Sequence, residues 1–87
     1  MCKYMNRMLF LKALADDTRI QIIEILLQRE ESVLDIVTKV GKSQPNVSLA
    51  LKKLEHAGIA ASRKDQKRVY YRITDPERIK AILGRLT

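Results

Sequence analysis

A helix whose two ends are both encoded constrains this chain most, and it lies at residues 42–58. Ser43 can accept a hydrogen bond as the N-cap, and Pro45 suits the first turn because its missing N–H would have no helical partner there. Gly58 supplies a left-handed stop at the other end. The pattern therefore predicts a short helix with defined limits.

The two faces of this helix differ in chemistry. At about 100° per residue, one apolar stripe faces the core. The stripe consists of Val47, Ala50, Leu51 and Leu54, and the opposite face carries Pro45, Ser48, Leu49, Lys52 and His56. Polar side chains in the first two turns can hydrogen bond to base edges in a DNA major groove, which suggests Gln44, Asn46 and Ser48 as base readers. On this element alone, an ordinary amphipathic surface helix is an equal alternative.

A second helix pattern ends immediately before this one. Ser32 is a good N-cap for a helix that carries Val33, Leu34, Ile36, Val37 and Val40. Asp35 suits the first turn of that helix, and Gly41 ends it. Because only Gly41 and Lys42 separate it from the N-cap Ser43, the two segments are typical of a helix-turn-helix.

Earlier residues predict two more helices. Residues 3–14 have helical spacing and 15–17 break it, so Asp16 or Asp17 can cap a helix at 17–28. The helix at 17–28 has a broad apolar face that predicts the centre of the core. This face consists of Ile20, Ile22, Ile23, Leu26 and Leu27. Residues 29–31 are predicted as a connection.

The hydrophobic period changes after Gly58. Residues 59–64 and 68–74 predict two strands of a β-hairpin with a charged tip at 65–67. Tyr70 and Tyr71 then point to opposite faces, so one belongs to the core and the other to the hairpin surface. Asp75 caps a last helix that begins at Pro76 and extends to about Leu86. The predicted fold is mainly α with a β-hairpin, in one domain over residues 1–87.

The excess of positive charge lies in one region. The net charge is +7, and residues 39–72 hold nine basic and two acidic side chains, so the rest of the chain is formally neutral. Such segregation is typical of a surface that displaces counterions from phosphates. We favour nucleic acid over a membrane surface because the region lacks one long basic amphipathic helix.

Composition excludes several classes of protein. No apolar run approaches the roughly 20 residues that cross a bilayer, and the N-terminus does not resemble an export signal, so we expect a cytoplasmic protein. A single cysteine, Cys2, cannot form an intrachain disulfide or a multi-cysteine zinc site. One histidine, one cysteine and no glycine-rich phosphate loop argue against an enzyme.

Three blocks of sequence resemble the arsenic-repressor (ArsR/SmtB) family of winged-helix transcription regulators. They are LKALADDTRIQIIEIL, KSQPNVSLALKKLEHAGI and RKDQKRVYYRITD. The resemblance implies that residues 43–57 form the recognition helix, that 63–72 form the wing, and that the first and last helices form a dimer interface. The expected interface residues are Tyr4, Met5, Met8, Leu11, Ile79, Ile82, Leu83 and Leu86. Packing of these residues within one chain is the alternative.

Many members of that family sense metals, and this sequence departs from them at both common sites. The resemblance would place thiols at Ser32 and Leu34, which cannot bind a soft metal. A second site would open at Asp75 and Glu77, and its closing ligands would fall beyond Thr87. We therefore expect no metal and no cofactor, an inert Cys2, and a His56 that favours a helix C-terminus or contacts phosphate.

The expected function is that of a homodimeric repressor that binds an imperfect palindrome in double-stranded DNA. The expected DNA-binding residues are Ser43, Gln44, Asn46, Ser48, Leu49, Lys52, Lys53, Arg63, Lys64, Lys67 and Arg68. A winged-helix docking module inside a larger assembly is the alternative, and the position of the excess charge argues against it.

Overall fold

A computed structural model describes Lys12 and residues 15–86 of the chain, with the side chains of residues 85 and 86 excepted. The predicted first helix therefore lies outside the described residues, apart from Lys12. The elements of the described part are α1 (Asp17–Gln28), β1 (Glu31–Ser32), α2 (Val33–Val40), α3 (Gln44–His56), β2 (Ala60–Asp65), β3 (Arg68–Ile73) and α4 (Pro76–Leu86). The predicted fold, helices followed by a hairpin and a C-terminal helix, is confirmed.

The predicted helix starts are confirmed by side-chain caps. Asp16 accepts hydrogen bonds from the backbone N–H groups of Thr18 and Arg19 at the start of α1. The hydroxyl of Ser32 accepts from the N–H of Asp35 at 3.1 Å, and the hydroxyl of Ser43 caps α3 in the same way at 3.3 Å. Each cap satisfies a backbone donor that has no partner inside its helix.

Glycines end α2 and α3 as the sequence predicts. Gly41 has a φ of 77° and Gly58 a φ of 81°, both in the left-handed region that a side chain disfavours. After α3, the N–H of Gly58 donates to the carbonyl of Glu55 and that of Ile59 donates to Leu54, both at 3.0 Å. These two bonds form a Schellman motif, which directs the chain from α3 into β2.

The sheet differs from the prediction in having a third strand. Its strand order is β1-β3-β2, with both pairs antiparallel, and Glu31 and Ser32 pair with Tyr71 and Tyr70. The sequence predicts residues 29–31 as a connection, because two residues carry no period from which a strand can be recognised. The hairpin turn is also shorter than predicted, since Asp65 pairs with Arg68 across a two-residue tip.

The core confirms the predicted stripe of α3 and part of the predicted face of α1, in which Ile20 and Leu27 are only half-buried. The α3 stripe is buried, as are Ile22, Ile23 and Leu26 of α1. Leu34 instead keeps 52% of its surface exposed, because about 200° of helical rotation separates it from the buried Ile36. Ile79 has no exposed surface within the single chain, so it is a core residue and does not supply surface to a dimer interface. Within the described residues, no helix is long and apolar enough to span a membrane.

Candidate nucleic-acid interface

The front of α3 presents the polar residues that the sequence predicts there. Three fully buried side chains, Val47, Leu51 and Leu54, fix the helix to the core from the opposite side. The predicted DNA-binding residues of this element are exposed except for the half-buried Ser48, and they are Ser43, Gln44, Asn46, Ser48, Leu49, Lys52 and Lys53. The rigid attachment lets polar side chains project from a helix whose position is set by packing.

A groove separates α3 from the hairpin, and we call it the helix–wing groove. It has a volume of about 340 Å³. Its lining residues come from the start of α2, from α3 and from the hairpin, and they are Ser32, Val33, Leu34, Gln44, Ser48, Leu51, Lys52, Lys67, Arg68, Val69 and Tyr71. The structure therefore brings predicted residues of the recognition helix and of the wing to one surface.

Arg63 lies in a different setting from the other cations among the expected DNA-binding residues. Its guanidinium makes two hydrogen bonds to the carboxylate of Glu30, at 2.8 and 2.7 Å, and lies 4.7 Å from the centre of the Tyr70 ring. Hydrogen bonding to Arg63 lowers the pKa of Glu30. The sequence predicts Arg63 as a DNA-binding residue, and in the structure it connects the hairpin to the loop between α1 and β1.

Glu55 is a contact that the sequence reasoning missed. One carboxylate oxygen accepts a hydrogen bond from the Ser62 hydroxyl at 2.9 Å, and the other accepts from the Tyr71 hydroxyl at 3.2 Å. Burial, followed by the charge of Glu55, raises the pKa of Tyr71. Since Ser62 lies on β2 and Tyr71 on β3, this carboxylate joins α3 to both strands of the hairpin. The sequence offered one signal for this contact, because Glu55 is one of only two acids within the basic region at residues 39–72.

The two tyrosines confirm the predicted alternation. Tyr71 keeps only 3% of its surface exposed and belongs to the core, whereas Tyr70 is half-buried beneath Arg63 on the hairpin. The pair therefore separates the inner face of the sheet from its outer face.

Glu31 is a buried carboxylate with 4% exposure, and it was likewise missed. Lys39 and Arg29 donate hydrogen bonds to it, from Nζ at 2.5 Å and from Nε at 3.0 Å respectively. These bonds, that of Lys39 first, lower the pKa of Glu31. Lys39, counted above in the basic region, is thus paired with a buried acid of its own chain, although its own side chain remains exposed.

The remaining predicted sites have mixed outcomes. Ile82 and Leu83 are half-buried and pack against the core. The other expected interface side chains, as well as Cys2, lie outside the described residues; they are Tyr4, Met5, Met8, Leu11 and Leu86. In the part of the chain that the structure describes, no group of three or more His, Cys, Asp or Glu side chains could hold a metal ion.

Comparison with known proteins gives a consistent result. Residues 16–62 match the family model described as bacterial regulatory protein, arsR family. The chain is 37% identical over 67 residues to a probable mercury resistance operon repressor of Streptomyces lividans, an alignment that covers 77% of this chain and 54% of that protein. This chain spans about half the length of the first curated relatives that it matches.

Solved structures resemble the fold closely. NolR from Sinorhizobium fredii has a TM-score of 0.83 at 32% identity, covering 92% of this chain and 79% of that one. Another similar structure is that of Mb0332 from Mycobacterium bovis, which is described as a homodimeric winged helix-turn-helix DNA-binding domain and a possible ArsR-family transcriptional regulator. It has a TM-score of 0.78 at 34% identity, covering 86% of this chain and 71% of that one.

Proposed function

Because this chain belongs to the arsR family of bacterial regulatory proteins, we propose that it represses transcription by binding specific sites in double-stranded DNA. The family and the named relatives are transcriptional regulators rather than enzymes. The observation that carries the proposal is the exposed polar front of α3, which lies beside the cationic hairpin across a single groove.

The contacts divide into two classes. Gln44, Asn46 and Ser48 occupy the first two turns of α3 and read base edges, because side-chain amides and hydroxyls can both donate and accept there. Exposed cations neutralise phosphates, and these are Lys52, Lys53, Lys64, Lys67 and Arg68. Arg63 supports the wing through Glu30 and makes a smaller contribution to phosphate binding. Leu49 and Ser43 are also exposed, and the Ser43 hydroxyl is engaged as the cap of α3.

The protein acts as a homodimer that needs no metal, and its operator is an imperfect palindrome. The homodimeric state of the Mycobacterium bovis domain supports the dimer. A twofold axis would place two recognition helices in successive major grooves, about one helical turn apart. Ser32 supports metal independence, because its hydroxyl is engaged as the cap of α2 at a position where the family resemblance would require a thiol.

The test is fluorescence anisotropy of two labelled duplexes, one from upstream of the protein's own gene and one of random sequence, at several salt concentrations with and without zinc. We expect tight, salt-dependent binding to the upstream duplex and no response to zinc. Gln44→Ala should cost about 1–3 kcal/mol on the upstream duplex and little on random DNA.

A matched pair of lysines separates local contacts from overall charge. Lys67→Ala should weaken binding to both duplexes, whereas Lys80→Ala, which removes the same charge from the exposed surface of α4, should have a smaller effect. Weak, salt-independent binding to both duplexes would refute DNA binding. Equal losses on both duplexes for Gln44→Ala would refute its role in reading bases.

A further inference from the structure

The floor of the helix–wing groove is more apolar than contact with phosphates requires. Three large apolar side chains are exposed in the described part of the chain, and two of them, Leu34 at 52% and Val69 at 36%, line this groove. Val33 and Leu51 extend the same surface inward. Grouped apolar exposure in a concave site is typical of a ligand-binding surface.

The rim of the groove carries a single sign of charge. Lys52, Lys67 and Arg68 line it, and no acidic side chain is among its described lining residues. Lys52 has the carboxylate of Glu55 3.9 Å away, whereas Lys67 and Arg68 form no ion pair with any described residue. The unopposed positive charge is therefore concentrated on the hairpin side. The volume of 340 Å³ is at the lower end of the range of about 300–1,000 Å³ that small-molecule sites occupy.

We propose that the helix–wing groove binds a small amphipathic carboxylate, a molecule with an apolar chain or ring and one anionic end. Its apolar part lies against Leu34 and Val69, and its carboxylate meets Arg68 and Lys67. An arginine fork matches the two oxygens of a carboxylate, which gives this end its orientation.

The ligand would also exclude DNA from the same surface. Gln44, Ser48 and Lys67 line the groove, and they are among the residues assigned above to bases and phosphates. One surface cannot serve both occupants at once, so the carboxylate acts as an inducer that releases the operator. This regulatory step rests on the proposed function, whereas binding of the carboxylate to the protein does not.

The experiment is a titration of the ¹⁵N-labelled full chain with sodium decanoate, below its micelle-forming concentration, followed by amide chemical shifts. We expect saturable shifts centred on Leu34, Val69 and Arg68. Decylamine has a chain of the same length with the opposite charge, and it should bind at least about tenfold more weakly because the rim is cationic. Equal affinity for the two compounds, or shifts centred outside the groove, would overturn the proposal.

Two variants test whether Val69 and Arg68 bind the carboxylate. The comparison of decanoate with decylamine on the unchanged chain tests the proposal without depending on either variant. Val69→Glu places a negative charge on the apolar floor and should weaken decanoate binding by about tenfold or more. Arg68→Gln should weaken it as well, whereas Lys80→Gln, with the same loss of charge on α4, should not.

Competition with DNA is measured separately by adding decanoate to the anisotropy assay. Release of the upstream duplex at decanoate concentrations that saturate the shifts is expected. If decanoate does not bind but the duplex does, the ligand site is wrong and the proposed function stands. If decanoate binds but the duplex does not, the proposed function is wrong and the ligand site stands.

Discussion

The carboxylate of Glu55 should contribute measurably to stability through one part-buried hydrogen bond. Glu55→Ala removes the acceptor of the Tyr71 hydroxyl, which lies 3.2 Å away on a residue that is only 3% exposed. Because this hydrogen bond is only part-buried, we expect its loss to lower the free energy of unfolding by about 0.5–1.5 kcal/mol. The ion pair with Lys52 adds little, because it is 3.9 Å long and the lysine is exposed.

A double-mutant cycle isolates this contact. Tyr71→Phe removes the donor instead of the acceptor and should cost about 0.5–1.5 kcal/mol. In the Glu55→Ala background, the same change should cost less, with a coupling of about 1 kcal/mol, because the hydrogen bond is already absent. Urea denaturation followed by far-ultraviolet circular dichroism gives the four free energies of unfolding.

Tyr70→Phe is the control, since it makes the same chemical change on the outer face and should alter stability by less than about 0.5 kcal/mol. Strict additivity of Glu55→Ala and Tyr71→Phe would refute the reasoning, because it would mean that the two groups do not interact. The raised pKa of Tyr71 adds a second measurement. The neutral Tyr71 hydroxyl stabilises the folded state fully below the ordinary pKa of 10.0, and this contribution to the free energy of unfolding is lost as pH rises through the folded pKa. Tyr71→Phe should abolish that alkaline loss.

Three further predictions test the fold by the same denaturation assay. Gly41→Ala should cost about 1–2 kcal/mol because its φ is 77°, although open space surrounds the position, whereas Gly84→Ala inside α4 should stabilise by about 0.5–1 kcal/mol. The lowered pKa of Glu31 contributes stability above its ordinary value of 4.5, so that contribution should disappear as pH falls through the folded pKa, and Glu31→Gln should lack this acid dependence. Leu51→Ala should cost about 2–5 kcal/mol because the side chain is fully buried, and Leu49→Ala, exposed on the same helix, less than about 0.5 kcal/mol. Similar losses for the two leucines would contradict the orientation of α3.

Local chemistry explains why the helix limits could be predicted. A serine before α2, a serine before α3 and a glycine after each act on backbone groups within a few residues, so sequence spacing alone identifies them. The structure confirms Ser32, Ser43, Gly41 and Gly58 in these roles. The resemblance to the arsenic-repressor family, carried by the same segments, is confirmed as well.

Contacts between distant segments could not be predicted in this way. Arg63 and Glu30 are 33 residues apart, and only the pairing of three strands brings them together. Periodicity likewise identified Ile79 as part of an apolar stripe but could not indicate which element covers it. The structure shows that the chain's own core covers Ile79. Among the expected interface residues that the structure describes, the half-buried Ile82 and Leu83 are therefore the candidates for contact with a partner.

The position of the acids changes how the basic surface is understood. Counted along the sequence, residues 39–72 have a surplus of seven positive charges, but Glu30 and Glu31 lie just outside that window and pair with Arg63 and Lys39 inside it. These two cations hold the hairpin and α2 in place through acids of their own chain, and Glu31 is shared with Arg29 as well. The cations that line the helix–wing groove are others, namely Lys52, Lys67 and Arg68, and they surround its apolar floor. A count of charges therefore predicts that a polyanion binds, whereas the ion pairs determine which cations position the wing and which can contact a ligand.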